Sequence, residues 1–235
     1  PTYTNDGVDC TGPSEEFTIT VSPTAQVDQV EDIVVCNGDE VAEIEFTTTS
    51  ENDIAYSWSI DTEIGTASLT GVGNIPLFEA ENIGTDPVVA TVTVTPSNDE
   101  TDPSLTCEGS SIEFTITVNP TAQVDPVDSL DLCNGDTAVV DFTTSNGGVD
   151  SVTTYSWEIT GGDSVFVGGA LSDVGNINLP VINETNADLV ATVTVTPTYT
   201  NDGVDCTGPS EEFTITVSPT AQVDQVEDIV VCNGD

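Results

Sequence analysis

No lysine, arginine or histidine occurs in this chain of 235 residues, which carries 42 aspartates and glutamates and a formal net charge of −42. Without a side-chain cation no salt bridge between side chains can form. Every carboxylate must be hydrated, hydrogen-bonded or screened by dissolved cations. The same absence excludes a nucleic-acid-binding surface, which needs basic groups to displace counterions from phosphate. It also excludes electrostatic attraction to an anionic membrane surface. A serine or cysteine nucleophile would lack the His or Lys base that activates it. Lys–Asn isopeptide staples are impossible for want of lysine. Two carboxylates suffice for glycoside hydrolysis, but that needs a concave site and one singular pair. Here the acids line strand faces and recur along the chain, so the sequence reads as a non-enzyme. Also missing are an apolar run near the roughly 18–20 residues of a membrane span and an opening signal-peptide pattern.

What is present points to a folded β protein. Apolar residues make up 37% of the chain and alternate with polar ones, which argues against an acidic disordered tail. Six cysteines at regular spacing suggest disulfides and an oxidising compartment. Zinc is the competing reading, but no cysteine pair has CxxC spacing and no His assists.

Residues 1–39 recur unchanged at 197–235, an offset of 196. That unit is itself two related halves. Cys36, Cys133 and Cys232 are spaced 97 and 99 apart, and so are Cys10, Cys107 and Cys206. "FTITV" begins at Phe17, Phe114 and Phe213, "YSW" at Tyr56 and Tyr155, "ATVTVTP" at Ala90 and Ala191, "TAQVD" at Thr24, Thr121 and Thr220. The chain is thus a window on a tandem array, and the unchanged copy implies a long gene built by recent duplication. The expected divisions are the end of one repeat domain at 1–23, whole domains at 24–120 and 121–219, and the first strand and turn of another at 220–235.

Each whole unit reads as about seven short strands with turn signals between them. Ala42, Ile44 and Phe46 alternate with Glu43 and Glu45; Tyr56, Trp58 and Ile60 with Ser57 and Ser59; Ile112, Phe114, Ile116 and Val118 with Glu113, Thr115 and Thr117. The second unit repeats this with Ala138, Val140 and Phe142, then Tyr155, Trp157 and Ile159, then Phe213, Ile215 and Val217. No segment has a helical period. The phase of Trp58 and Trp157 makes them core residues rather than sugar-stacking platforms. The pattern predicts an all-β fold of tandem immunoglobulin-like sandwiches. The linkers "VSPTAQVDQV" and "VNPTAQVDPV" are apolar and proline-stiffened, which predicts an extended rod.

Cys-Asn-Gly, Tyr-Ser-Trp, Gly-Asn-Ile, Ala-Thr-Val-Thr-Val-Thr-Pro and Phe-Thr-Ile-Thr-Val-Asn-Pro follow in order in both units. This series resembles the PKD-like repeat regions of giant surface adhesins of gliding Bacteroidetes, the SprB-like gliding-motility adhesins. The resemblance implies export by type IX secretion, display on the outer surface, and adhesion or force transmission along a filament. The short glycosylation pattern Asp-Ser/Thr-aliphatic of those bacteria matches at Ser129, Thr137, Ser151 and Ser164. Asn183-Glu184-Thr185 has the form of an N-glycosylation sequon.

"CNGD" occurs three times, and its Asn-Gly reads as a hairpin turn joining the first strand of a unit to the second. That turn lies at the pole facing the next unit, whereas Cys107 and Cys206 precede the last strand at the pole facing the previous one. Strands of about ten residues separate the poles by roughly 30 Å, and a disulfide requires Cα atoms within about 4.4–6.8 Å. The predicted bond is therefore Cys36–Cys206, between neighbouring units, with Cys10, Cys107, Cys133 and Cys232 pairing to further repeats. The alternatives are Cys36–Cys107 with Cys133–Cys206 inside single units, Cys107–Cys133, or free thiols. Asp39 and Asp86 at one pole, Asp150, Asp202 and Asp205 at the facing pole, and Asp125 in the linker form a candidate calcium set. Otherwise these are simply solvated acidic loops.

The functional expectation is the stalk of an extracellular adhesin, with neighbouring repeats as partners, other copies in a bundle, and a surface or polysaccharide ligand at a distant tip. A polysaccharide-binding repeat array, with Tyr3 and Tyr199 as exposed aromatics, and a purely structural surface-layer polymer are the alternatives.

Overall fold

The computed structural model of the chain describes residues 1–19, 21, 23–49, 54–98 and 107–230. Every element named in it is a β-strand. A hairpin of β1 (Thr2–Asn5) and β2 (Val8–Thr11) stands ahead of two complete units.

In the first unit the larger sheet runs in the order β3 (Ile33–Cys36), β9 (Ile112–Asn119), β8 (Val88–Asn98), β5 (Ile54–Ile60), β6 (Thr70–Val72). All neighbours are antiparallel except β3 and β9, which are parallel. The facing sheet holds β4 (Glu40–Val41) and β7 (Phe78–Glu79), continued by a bridge between Ile44 and Ile75. The second unit repeats this with β10 (Leu130–Cys133), β17 (Glu211–Ser218), β15 (Leu189–Asn201), β12 (Val152–Gly162) and β13 (Ser172–Val174), opposite β11 (Thr137–Val140) and β14 (Ile177–Pro180). One further strand, β16 (Val204–Thr207), pairs with the far end of β15. First strand beside last, and a short sheet across a single core, make each unit an immunoglobulin-like sandwich.

The strands form because their side chains alternate. Along β8, Ala90, Val92 and Val94 point into the core while the threonines between them face outward. Trp58 and Trp157 lie inside, as their phase requires, and each unit has its own continuous core. Two expectations fail. Val41, not Ala42, is buried in the first unit, and Ala42 is exposed. Adjacent apolar residues leave the phase ambiguous, and the Val41–Phe78 and Ile44–Ile75 pairings settle it. Thr117, expected outside, is also buried.

The polar residues of the repeated motifs act as fasteners. Asn74 and Asn176, in "GNI", each accept a backbone N–H from the segment that follows the second strand (Phe46, 3.1 Å; Phe142, 3.0 Å) and donate to an acid in that segment (Glu43, 2.8 Å; Asp141, 2.9 Å). The aspartate of "TAQVD" accepts the hydroxyl of Thr47 (Asp28, 2.8 Å) or Thr143 (Asp125, 2.7 Å), tying each linker to the unit that follows it. The phenols of Tyr56 and Tyr155 are raised above their ordinary range, first by burial and then by the charges of Asp28 and Asp125; a Thr144 hydrogen bond opposes this at Tyr155.

Candidate functional site: the junction between the units

Each residue of Cys36-Asn37-Gly38-Asp39 has a distinct task. The turn closes when the Asp39 N–H donates to the Cys36 carbonyl at 3.1 Å, and the Asp39 carboxylate accepts the Cys36 N–H at 3.0 Å. Gly38 sits at φ +87°, a conformation that favours glycine, and its N–H donates to the Ala80 carbonyl at 2.7 Å. The Asn37 carboxamide accepts the Asn82 N–H at 2.7 Å and donates to the Thr121 hydroxyl at 2.9 Å, beyond the end of the last strand. This is not the expected hairpin. β3 and β4 belong to different sheets, so the turn is a corner between the two layers of the sandwich. Asn-Gly signals a turn but not which sheets its flanks join.

Cys36 is bonded to Cys206, with Cα atoms 5.5 Å apart. The intradomain alternatives using either cysteine are thereby excluded. Cys206 is carried by the β15–β16 hairpin, whose turn at Asp202-Gly203 has φ of 48° and 77°. Two successive positive φ angles with Asp-Gly fit a two-residue type I′ turn. Asp202 and Asp205 of the candidate calcium set thus sit on a tight hairpin that thrusts Cys206 toward the preceding unit.

A small core forms around the bond. Ala122, Tyr199 and Cys206 are buried together, with Cys36 and Val204 against them. The Tyr199 hydroxyl donates to the Gly147 carbonyl at 2.8 Å, and the Gly147 N–H donates across the junction to the Thr85 carbonyl at 3.0 Å. Asn201 donates to the Asn119 side chain at 2.8 Å, and the Asn119 carbonyl accepts the Asn37 N–H at 2.9 Å. Gly208 is needed because a Cβ there would be driven into the Ala122 carbonyl. Tyr199 is thus a buried junction residue and not an exposed aromatic; Tyr3 is exposed.

The remaining candidates fall as follows. Asp86 and Asp202 line one groove of about 540 Å³ at the junction, with Pro87, Thr117, Val149 and Asn201. Asp125 and Asp205 hold the Thr143 and Thr200 hydroxyls, and Asp150 occupies a left-handed position at φ 61°. Among the described residues no three acidic or sulfur side chains converge to hold a metal ion. Cys10 and Cys133 carry exposed free thiols, the Cys107 carbonyl accepts the Asn98 N–H at 3.1 Å, and Cys232 lies outside the described residues. Thr137 and Ser164 are exposed. Ser129 accepts the Thr214 N–H at 3.3 Å, and Ser151 donates to the Gly147 and Gly148 carbonyls at 3.1 Å.

A clamp that the sequence reading missed supports the pole. Asn82 and Asn183 are buried, and each donates to two carbonyls: Asp86 and Val118 at 2.9 and 2.8 Å, Ala187 and Val217 at 2.8 and 2.6 Å. Each also takes the CNGD asparagine on its own N–H. At 1% exposure with both amide hydrogens engaged, Asn183 offers no glycosylation site in the folded chain. The available signal was an asparagine recurring at one place in both units.

No protein-family model and no curated protein sequence matches the chain. Solved structures do resemble it. The titin I-band fragment I67–I69 is 9% identical, with 83% of this chain and 64% of that one covered and a TM-score of 0.40. The human desmocollin-1 ectodomain is also 9% identical, with 85% and 42% covered and a TM-score of 0.40. A SusE-like surface-located polysaccharide-binding protein from the Bacteroides thetaiotaomicron heparin utilisation locus is 12% identical, with 80% and 33% covered and a TM-score of 0.28. The chain therefore spans less than two thirds of the length of these structures. At such identities the likeness is one of fold.

Proposed function

We propose that this chain is a length of the stalk of an extracellular adhesin, a rod of sandwiches that bears load and projects a binding tip. The observation that carries this reading is the Cys36–Cys206 bond, which links two units across their junction rather than stabilising either one internally. Such a bond belongs in an oxidising compartment, and the junction core around it favours a fixed angle between units. Cys10, Cys107, Cys133 and Cys232 extend the ladder to neighbouring repeats. Cys133 supports this extension: its Asn134 donates to Thr220 at 2.9 Å and takes Asn183, just as Asn37 does with Thr121 and Asn82. Calcium enters the proposal only as a counterion near Asp86 and Asp202. Gliding motility and type IX secretion rest on the resemblance in sequence. A polysaccharide-binding array gains no support from Trp58, Trp157 or Tyr199, all of which are buried.

Immunogold labelling of intact producing cells with antibody against this chain tests the reading. Label strung along filaments outside the cell is expected. Label appearing only after permeabilisation would overturn it.

A further inference from the structure

Cys36 ends β3, the strand by which the chain enters the first unit. Cys206 lies in β16, just ahead of β17, the strand by which the chain leaves the second. The bond between them closes a ring that contains all residues from Asn37 to Asp205. We infer that the oxidised pair of units is a tether of fixed length, in which tension runs from β3 through the two sulfurs into β17 and bypasses residues 37–205.

A domain lengthens a chain on unfolding only if its two ends lie on the loaded path. Here the ring's entry and exit are held with Cα atoms 5.5 Å apart. Strands β4 to β9 and β10 to β15 all lie inside the ring, as does the linker from Pro120 to Thr121. Outside it, the chain contributes Val27, Val30 and β3 to the first core and β17 to the second. Peeling these from β9 in the first unit, and from β10 and β15 in the second, frees no more than the segments themselves.

Without the bond the load path changes. Tension must then cross both sandwiches and the linker between them. In each sandwich the first and last strands are parallel neighbours and are loaded in shear. Once both have yielded, the 170-residue separation between Cys36 and Cys206 extends to about 600 Å at roughly 3.6 Å per residue. The disulfide therefore makes the pair a strap instead of a spring. The folds inside the ring hold the spacing and present a surface, but they carry no tension. This follows from connectivity and does not depend on the chain being an adhesin.

The test is single-molecule stretching of the whole chain, tethered at both ends, before and after adding the phosphine reductant TCEP to the same molecule. Before reduction, no lengthening step of module size, about 300 Å, is expected. After reduction, steps totalling about 600 Å should appear. Cys36→Ser should give that length without reductant, even if the variant folds poorly. Module-sized steps in the unreduced chain, or no added length after reduction, would overturn the inference. Loss of surface labelling in cells would sink the adhesin reading and leave this one standing.

Discussion

Tyr3 and Tyr199 occupy the same place in two identical 39-residue sequences, yet Tyr3 is 72% exposed and Tyr199 only 1%. Phe17 and Phe213 differ in the same way, at 85% and 4%. The segment buries its apolar face where the rest of a unit and a preceding pole accompany it. The junction is thus a property of two neighbours and not of the hairpin alone.

Two substitutions at Tyr199 test the junction core. Tyr199→Phe leaves the Gly147 carbonyl without its phenol donor and should cost about 1 kcal/mol. Tyr199→Ala should cost about 3–5 kcal/mol by opening a cavity in the junction core. Urea unfolding of the two variants measures this, and a Tyr199→Ala variant as stable as wild type would contradict the buried junction core.

The Asn37 side chain couples the corner to the linker. Asn37→Ala removes the bonds to Asn82 and Thr121 together and should destabilise by about 1–3 kcal/mol. Thr121→Val should cost less, because it removes one bond. A double-mutant cycle should return a coupling of about 0.5–1.5 kcal/mol; additive effects would mean the two do not interact.

The repeats and most strand faces were legible because they rest on spacing, and the cysteine pairing because strand order puts Cys36 and Cys206 at facing poles. "FTITV" and "ATVTVTP" alternate cleanly, so Phe114, Ile116, Val92 and Val94 could be placed in the core from their phase. The turns and clamps at the poles were less legible. Asn37-Gly38 announces a turn whether its flanks pair with each other or with different sheets. Asn82 and Asn183 look like ordinary loop residues until their carbonyl partners, 36 and 34 residues further on, are brought beside them. That Asp202 would sit at a hairpin turn and Asp205 would accept the Thr200 hydroxyl was not legible in their residue types.

Acid should weaken one fastener selectively. Asp32 accepts the Thr115 N–H at 2.6 Å, and that backbone bond, helped by the Thr115 side chain, holds its pKa below the ordinary 3.8. A depressed carboxyl pKa contributes stability above the unfolded value and loses it as pH falls through the folded one. Wild type should therefore exceed Asp32→Asn in urea midpoint near neutrality, and the gap should close below about pH 3.8. The second unit places Ser129 against Thr214 instead, so Ser129→Ala should show no such pH dependence. A wild-type advantage that does not shrink at any pH below the ordinary 3.8 would contradict the assignment.

Salt should stabilise this chain, since its 42 carboxylates have no side-chain cations to pair with and added ions screen only repulsion. Melting temperature should rise with sodium chloride. At matched ionic strength calcium chloride should raise it further, and by less in Asp86→Asn/Asp202→Asn. A melting temperature that falls with salt would contradict the electrostatic account. An equal calcium effect in the variant would remove the junction counterion from it.

Removing the bond is expected to cost about 2–5 kcal/mol, given the long loop it closes, but its pairing is the more direct test. Cys10→Ser/Cys232→Ser makes the peptides around Cys36 and Cys206 unique, and peptide mapping without reductant, using proteases that cut at acidic residues, then identifies each partner. The account predicts the Cys36 peptide joined to the Cys206 peptide, and separated from it only on reduction. A Cys36 peptide joined to Cys107, or a Cys206 peptide joined to Cys133, would make each unit a self-contained bead and contradict the cross-junction strap.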